Sequence, residues 1–195
     1  MTTTKIGIIG DGRVGRALAR GLKRAGREAR IVGSDKPAIR DTAAWATVII
    51  TAIPFAALGD LVHTANDALD GKAVVDVTNA LGVDGSLALG FTTSGAEELQ
   101  KMLPRAHVVK AFNTVFARHM DTGRLGDQQL TAFVAGDDPA AKAVVLALAA
   151  DIGFDAVDAG PLKNARMLEP LGVLNIQLGH AQKMGATIGF ELLHS

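Results

Sequence analysis

Six residues near the start of the chain, Gly10-Asp11-Gly12-Arg13-Val14-Gly15, restrict its fold more than any other segment. They follow the short apolar run 6–9 and open a stretch with apolar residues at helical spacing. A G-x-G-x-x-G turn between a buried strand and a helix is the fingerprint of dinucleotide-binding folds. Gly10 permits the tight turn, Gly12 lets a pyrophosphate approach the backbone, and Gly15 lets helix and strand touch. The sequence therefore predicts that residues 10–15 bind a pyrophosphate at the N-terminus of a helix.

Short β-branched runs alternate with helical patterns along the chain, which is typical of a parallel sheet covered by helices. The predicted strands lie near residues 5–10, 28–33, 47–52, 72–77, 106–111, 131–135 and 154–158. The predicted helices lie near residues 13–25, 55–69, 95–102, 138–151 and 164–188. We expect an α/β, Rossmann-type, doubly wound and mainly parallel sheet. Residues 1–160 would form the dinucleotide-binding domain, and the helical segment 161–195 would pack on it to give one compact unit.

The connection after the second predicted strand is unusually short. Only residues 34–46 separate that strand from the next, where a doubly wound nucleotide-binding half has a helix and a further strand. We therefore predict a sheet that lacks the usual helix and third strand at this point, with room for one short helix near 37–45. The second strand then becomes an edge strand, and the strand order is 2-1-4-5-6 in the standard naming of this fold.

Composition excludes several classes of function. Lys and Arg number 20, as do Asp and Glu, so no net field favours nucleic acid or an acidic membrane as partner. The absence of cysteine excludes disulfides and thiolate chemistry, and the absence of tyrosine excludes the Tyr/Lys proton donor of short-chain dehydrogenases. No apolar run or N-terminal leader points to a membrane or to secretion, so a cytoplasmic protein is expected. No metal site is predicted, because no metal-ligand spacing connects the five histidines, His63, His107, His119, His180 and His194.

The residues after the second strand bear on the choice of dinucleotide. Ser34 and Lys36, with Arg13 from the glycine turn, offer a hydroxyl and two cations to the 2′-phosphate of NADP. Asp35 lies 20 residues after Gly15, where an acidic residue accepts the ribose hydroxyls of NAD. NADP is favoured if Asp35 points away from the nucleotide, and NAD is favoured if it points inward.

Three further strands end in residues suited to the same crevice, because ligands bind at the carboxyl ends of parallel strands. Ile53 and Pro54 follow the third strand, where core packing and a proline helix start explain them equally well. Thr78 and Asn79 follow the next strand and suit a nicotinamide ribose or amide. Strand alternation places Asn113 on the face opposite Lys110 and Phe112. For both asparagines a buried structural role is the competing interpretation.

The chain resembles the NADPH-dependent F420 reductases, F420 being the 8-hydroxy-5-deazaflavin coenzyme. The resemblance covers nearly the whole chain, and it also extends to the oxidoreductase part of six-transmembrane metalloreductases. It rests on residues 7–12, Gly33-Ser34, Ala52-Ile53-Pro54, Lys110–Thr114 and, most specifically, Asp158–Leu162 with the stretch 165–176. It implies direct hydride transfer between the nicotinamide C4 and the deazaflavin C5, in which the protein orients the rings and supplies no catalytic acid or base.

The resemblance also implies which residues bind the two partners. The pyrophosphate would be held by Gly10, Gly12, Arg13, Val14 and Gly15, with Asp11 inside the same turn. Ser34 and Lys36 would hold the 2′-phosphate, although Asp35 stands where family members often have arginine. The nicotinamide nucleotide would be bordered by Ile53, Pro54, Asn79 and Ala80. The deazaflavin would be lined by Phe112, Asn113, Thr114 and Leu193.

Two other functions remain open from the sequence. One is an imine or 2-keto-acid reductase that uses Lys110 as proton donor, and the other is a dinucleotide-sensing module without catalysis. The segment after Pro161 also contains four glycines, at 172, 179, 185 and 189, which disfavour an isolated helix. Another backbone packed closely against them would explain the glycines. That backbone belongs either to a second copy in a homodimer or to the chain's own sheet.

Overall fold

The structure, a computed structural model, describes residues 4–82 and 84–193, so that His194 lies outside the described residues. The strands are β1 (Lys5–Ile9), β2 (Glu28–Val32), β3 (Val48–Thr51), β4 (Ala73–Asp76), β5 (His107–Lys110), β6 (Arg124–Leu125), β7 (Gln128–Gln129), β8 (Thr131–Gly136) and β9 (Asp155–Asp158). The α-helices are α1 (Arg13–Arg24), α2 (Lys36–Trp45), α3 (Leu58–Ala65), α4 (Gly95–Met102), α5 (Pro139–Ile152) and α6 (Ala165–His180). All seven predicted strands are confirmed, whereas the short hairpin β6–β7 was not predicted.

The main sheet has seven strands in the order β2-β1-β3-β4-β5-β8-β9. The first five are parallel, β8 runs antiparallel to β5, and β9 is parallel to β8. The α/β Rossmann-type fold and the edge position of β2 are therefore confirmed. The third strand of the standard fold is absent as predicted, and the one short helix predicted near residues 37–45 is present as α2. Asp35 caps α2 and Pro37 lies in its first turn, so ten residues form a regular helix directly after β2.

Helices cover both faces of the sheet. Because successive strand residues point to opposite sides, each strand contributes side chains to both helical layers. Ile6 and Ile8 of β1 pack in the apolar cluster formed with α1 and α5. Ile9 of the same strand packs in the opposite cluster, formed with α2, α3 and α4. Because β1 to β5 are parallel, their carboxyl ends lie along one edge of the sheet, and the sheet is buried on both faces.

The C-terminal helix is shorter than predicted. α6 ends at His180, and the predicted continuation to residue 188 is wrong because the chain turns back on itself. The backbone takes positive φ at Lys183 and Gly185, 59° and 79°, and the Gly185 N–H donates to the Gly179 carbonyl over 2.9 Å. The chain then pairs with the start of β8, where the Thr131 N–H donates to the Phe190 carbonyl over 2.9 Å.

Candidate functional site

The glycine turn joins β1 to α1 through two glycines that the fold requires and one that it does not. A Cβ on Gly10, where φ is +112°, would lie 2.2 Å from the Ala52 carbonyl oxygen, and one on Gly15 would lie 1.9 Å from the Gly10 carbonyl oxygen. A Cβ on Gly12 would meet nothing within 4 Å. No side chain caps α1, so its first N–H groups are available to an anion. The turn therefore fits a pyrophosphate, and only Gly12 is open for its approach.

On one side of the glycine turn lies a cavity of about 420 Å³ at the carboxyl ends of β1, β2 and β3, which we call the β2 cavity. Its size lies within the usual range of ligand pockets. Its walls are formed by Ile9, Gly10, Asp11, Gly12, Gly33, Ser34, Lys36, Ile39, Ala52, Ile53, Pro54, Ala57, Asp60, Leu61 and Thr64. The structure thus brings together Ser34, Lys36, Ile53 and Pro54, four of the residues predicted to bind the dinucleotide.

Asp35 does not line the β2 cavity, whereas Asp11 of the glycine turn does. The Asp35 carboxylate accepts the Ala38 N–H over 2.8 Å and caps α2, so Asp35 points away from the cavity. Asp11 instead lies against Gly33, where a Cβ would be 3.1 Å from its Oδ1. The Arg16 guanidinium reaches the other Asp11 oxygen at 3.3 Å. Of the two orientations left open for Asp35, the structure shows the one that favours NADP.

On the other side of the turn lies a cleft of about 560 Å³, which we call the α6 cleft. It runs between α1, the carboxyl ends of β4 and β5, and α6. Its walls are formed by Arg13, Val14, Arg16, Arg20, Val77, Asn79, Asn113, Val115, Phe116, Ala117, Arg118, Met120, Gly172, Asn175, Ile176, His180 and Ala186. Arg13 lines this cleft and not the β2 cavity, so the expectation that it reaches toward a 2′-phosphate beside Ser34 is not met.

Two asparagines form one wall of the α6 cleft. The Asn113 amide donates to Asn79 Oδ1 over 2.9 Å and to the Leu168 carbonyl over 2.7 Å, and Asn79 donates to the Asn113 carbonyl over 3.2 Å. Gly172 of α6 lies directly over this pair, because a Cβ there would be 2.6 Å from Asn79 Oδ1. The asparagines therefore have the structural role of holding α6 to the sheet, and they also face the cleft, where a ligand would contact them.

Besides Gly15 and Asp35, four predicted binding residues line neither cavity. Phe112 packs in the core against Phe154, with ring centroids 5.7 Å apart, and Ala80 and Thr114 are buried as well. The Phe112 backbone has a φ of 63°, so strand alternation stops before it and its ring turns inward. Leu193 is 83% exposed on the surface. None of these side chains lines the α6 cleft or the β2 cavity as the structure describes them.

Lys110 is locked in a buried ionic network. Its ammonium lies 2.9 Å from Asp76 Oδ2 and 3.0 Å from Glu169 Oε1, and it also donates to the Thr78 carbonyl. All three side chains are excluded from solvent, and Glu169 also accepts the Gly95 N–H at the start of α4 over 3.0 Å. A lysine with every proton donated to protein acceptors cross-links strands and helices. It has no path to a substrate in either cavity.

Sequence reasoning missed the parts of the α6 cleft that come from far along the chain. Phe116 and His180 line the cleft without belonging to a local motif, whereas Asn175 belongs to the stretch 165–176 that carries the resemblance. Arg13, Arg16 and Arg20, at helical spacing on α1, were a further signal in the sequence. In the described ranges, 4–82 and 84–193, no group of His, Asp and Glu side chains could hold a metal ion. No helix within those ranges is long and apolar enough to cross a membrane.

The chain is similar in sequence to known oxidoreductases. Residues 5–44 match the family model described as "NADP oxidoreductase coenzyme F420-dependent". An F420-dependent NADP reductase of Methanocaldococcus jannaschii is 33% identical over 174 residues, covering 85% of this chain and 75% of the relative. The metalloreductase STEAP3 of Rattus norvegicus is 31% identical over 181 residues, covering 86% of this chain. The chain spans only 36% of the length of that metalloreductase.

Solved structures extend the likeness to three dimensions. A crystal structure from Arthrobacter sp. FB24, named for an F420-dependent NADP-reductase, has a TM-score of 0.88 and 31% identity. It covers 98% of this chain and is itself covered completely. A reductive aminase from Aspergillus terreus has a TM-score of 0.68 at 17% identity, covering 93% of this chain and 63% of the aminase. That second likeness shows a shared fold only.

Proposed function

Because the chain belongs to the family of F420-dependent NADP reductases, we propose that it transfers a hydride between NADP(H) and a deazaflavin of the F420 type. When both are bound, the nicotinamide supplies a hydride from C4, the deazaflavin accepts it at C5, and one proton comes from solvent. NADPH, F420 and H⁺ thus give NADP⁺ and reduced F420. The observation that carries the proposal is the uncapped glycine turn, which stands between two cavities of ligand size.

A dinucleotide laid across this turn would place its two halves in the two cavities. The β2 cavity would take the adenosine, with the 2′-phosphate beside Ser34 and Lys36, and the N–H groups of α1 would hold the pyrophosphate. The nicotinamide would enter the α6 cleft against Asn79 and Asn113. The chain contributes orientation and exclusion of water rather than proton transfer, as suits hydride exchange between two cofactors.

The rival reductase that uses a lysine as proton donor loses support from the geometry. Lys110 is wholly buried and bound to Asp76 and Glu169, so it cannot approach an imine or keto acid. Removing its ammonium would leave two buried carboxylates unpaired, which is strongly destabilising. A loss of activity in a Lys110→Ala protein would therefore count as evidence for proton donation only if the variant melted at the wild-type temperature.

The decisive experiment is NADPH oxidation in the presence of F420, with NADH measured in parallel. We expect turnover that saturates with both substrates and a higher kcat/KM for NADPH than for NADH. Saturable NADPH binding without reduction of F420 or of a flavin would refute the reductase and favour the dinucleotide sensor. A faster reaction with NADH would overturn only the roles of Ser34 and Lys36.

We also propose that the protein is a cytoplasmic homodimer. The support comes from exposed apolar side chains rather than from the glycines of the C-terminal segment. Gly172, Gly179 and Gly189 are filled by contacts within the chain, so they no longer require a second copy. The support is an apolar stripe on α6, where Met167 and Leu174 are 61% and 47% exposed. Sedimentation at micromolar concentration tests the dimer, and replacement of both side chains by glutamine should yield monomers.

A further inference from the structure

The two cavities beside the glycine turn carry opposite charge. Four arginines line the α6 cleft, and no Asp or Glu of the described residues lines it. Three of them, Arg13, Arg16 and Arg20, lie on one face of α1, and Arg118 comes from the turn 117–119. The β2 cavity is lined by two carboxylates, Asp11 and Asp60, and by one ammonium, that of Lys36. The α6 cleft is thus the strongly positive one of the pair.

Two of these four arginines form ion pairs with neighbouring carboxylates. Arg16 pairs with Asp11 and Arg20 with Asp121, each at 3.3 Å with the arginine mostly exposed. Exposed pairs of this kind hold their side chains only weakly. Arg13 and Arg118 form no ion pair with any residue in 4–82 or 84–193. Four guanidinium groups around one cleft attract anions through the field they share.

The dinucleotide does not account for the whole cluster. Its pyrophosphate needs the first turn of α1, where Arg13 and the free N–H groups lie. Arg20 is seven residues further along the helix, about 10 Å away at 1.5 Å per residue. Arg118 lines the same cleft from a different segment. These two arginines are therefore placed to meet a second anion, beyond the nucleotide.

We propose that the α6 cleft selects redox acceptors whose ring carries a phosphate- or carboxylate-bearing tail, with Arg20 and Arg118 binding that tail. Charge-assisted hydrogen bonds from guanidinium groups to phosphate or carboxylate are strong and directional. The inference rests on the proposed function for the redox ring and adds the charge class of the acceptor. A neutral acceptor with the same ring would enter the cleft without engaging either arginine.

The test compares acceptors that share a ring and differ in the tail. F420 is paired with its tail-free deazaflavin, and FMN is paired with riboflavin. We expect kcat/KM to favour the anionic member of each pair by about tenfold at low salt, and the ratio to shrink as salt screens the charges. Arg20→Gln combined with Arg118→Gln should bring the ratio close to one. Lys23→Gln, an exposed residue of α1 outside the cleft, removes one charge as the control and should leave the ratio unchanged.

Two results would overturn the inference. One is equal use of charged and neutral acceptors by the wild-type protein. The other is a higher Kd for NADPH in the double variant with an unchanged acceptor ratio, because the arginines would then serve the nucleotide. If no acceptor is reduced, the proposed function is refuted, but the charge preference of the cleft can still be tested. Quenching of ring fluorescence on binding FMN or riboflavin still measures the charge preference in that case.

Discussion

The β2 cavity and the α6 cleft flank the same glycine turn but are built in different ways. Residues 9–64 supply every wall of the β2 cavity, through three consecutive strands and the helices that follow them. The α6 cleft is assembled from residues 13–186 and closes only when α6 lies across the ends of β4 and β5. A short continuous segment can therefore specify the first cavity. The second depends on the tertiary fold of nearly the whole chain.

The largest effect is expected at the point that both cavities share. A Gly12→Ala variant should lose about a hundredfold in affinity for NADPH and NADH alike, because a methyl group would block the approach of the pyrophosphate to the backbone. The fold should tolerate the change, since φ is −71° and no atom lies within 4 Å of the new Cβ. Weaker capping by alanine would cost about 1 kcal/mol. Calorimetric titration with each nucleotide, beside a melting curve, measures both quantities.

Gly59→Ala is the matched control, because a Cβ at Gly59 also meets nothing within 4 Å and the residue lies outside both cavities. Its nucleotide affinity should equal that of the wild type. A Gly12→Ala protein that binds NADPH normally would show that the pyrophosphate does not pass over this turn, and the division of the molecule into two nucleotide-binding halves would fail.

The next prediction separates the two cavities. Gly172→Ala places a methyl group 2.6 Å from Asn79 Oδ1 and 2.7 Å from the Asn113 carbonyl oxygen, so α6 must move away from the sheet. We expect a loss of about 1–3 kcal/mol in the free energy of unfolding. The KM for the acceptor should rise about tenfold. Binding of 2′,5′-ADP, which fills only the adenosine half, should be unchanged.

An equal loss of acceptor and 2′,5′-ADP affinity in Gly172→Ala would mean that the two cavities are not independent. The Gly59→Ala protein is again the control for the added methyl group. Gly71→Ala is unsuitable as a control, because the backbone φ is positive at Gly71 and alanine would be strained there. Both proteins need to be assayed below their melting temperatures, so that lost binding is not merely lost folding.

The same contrast explains how far the sequence could predict the structure. The strands were predicted because all but the more polar β2 are short runs rich in Val, Ile or Phe, and the short helix α2 was predicted to start at Pro37. The end of α6 could not, since it depends on contact between Gly179 and Gly185 after the chain has turned back. The inward turn of Phe112 depends on a φ of 63°, which strand alternation does not reveal. The α6 cleft was only partly predicted, because its residues meet through tertiary packing.

A smaller effect should appear within the β2 cavity, on the choice between nucleotides. The Asp11 carboxylate is 56% exposed and lines the same cavity as Ser34 and Lys36, so it opposes a 2′-phosphate. Asp11→Asn should raise the preference for NADPH over NADH about fivefold, a modest factor because solvent screens the charge. Lys36→Gln should lower the same preference. The measured quantity is the ratio of the two Kd values.

Asp41→Asn provides the control for net charge, since Asp41 is exposed on α2 and lies outside the cavity. It should leave the NADPH-to-NADH ratio at the wild-type value. An unchanged ratio in Asp11→Asn would place the 2′-phosphate away from the glycine turn and would leave Ser34 and Lys36 as the only residues that read it.

The smallest effect concerns how α6 is held, and it depends on pH. Arg166 of α6 forms a two-pronged ion pair with Glu97 of α4, at 2.7–3.1 Å. Hydrogen bonding from Arg166 lowers the pKa of Glu97 below its ordinary value, with a further contribution from Ser94. A carboxyl whose pKa is lower in the folded state stabilises the fold above its unfolded pKa of about 4.3, and that contribution is lost as the pH falls through the folded value.

Glu97→Gln should therefore lower the free energy of unfolding at neutral pH by about 1 kcal/mol or less, and the difference from wild type should shrink on acidification. Because the pair holds α6 and no wall of the β2 cavity, the KM for the acceptor should rise slightly while binding of 2′,5′-ADP stays constant. Glu98→Gln is the control: Glu98 pairs with Lys101 within α4 and holds nothing on α6. A Glu97→Gln protein with the acid sensitivity of the wild type would show that α6 is held by the Asn79–Asn113 wall and the Lys110 network alone.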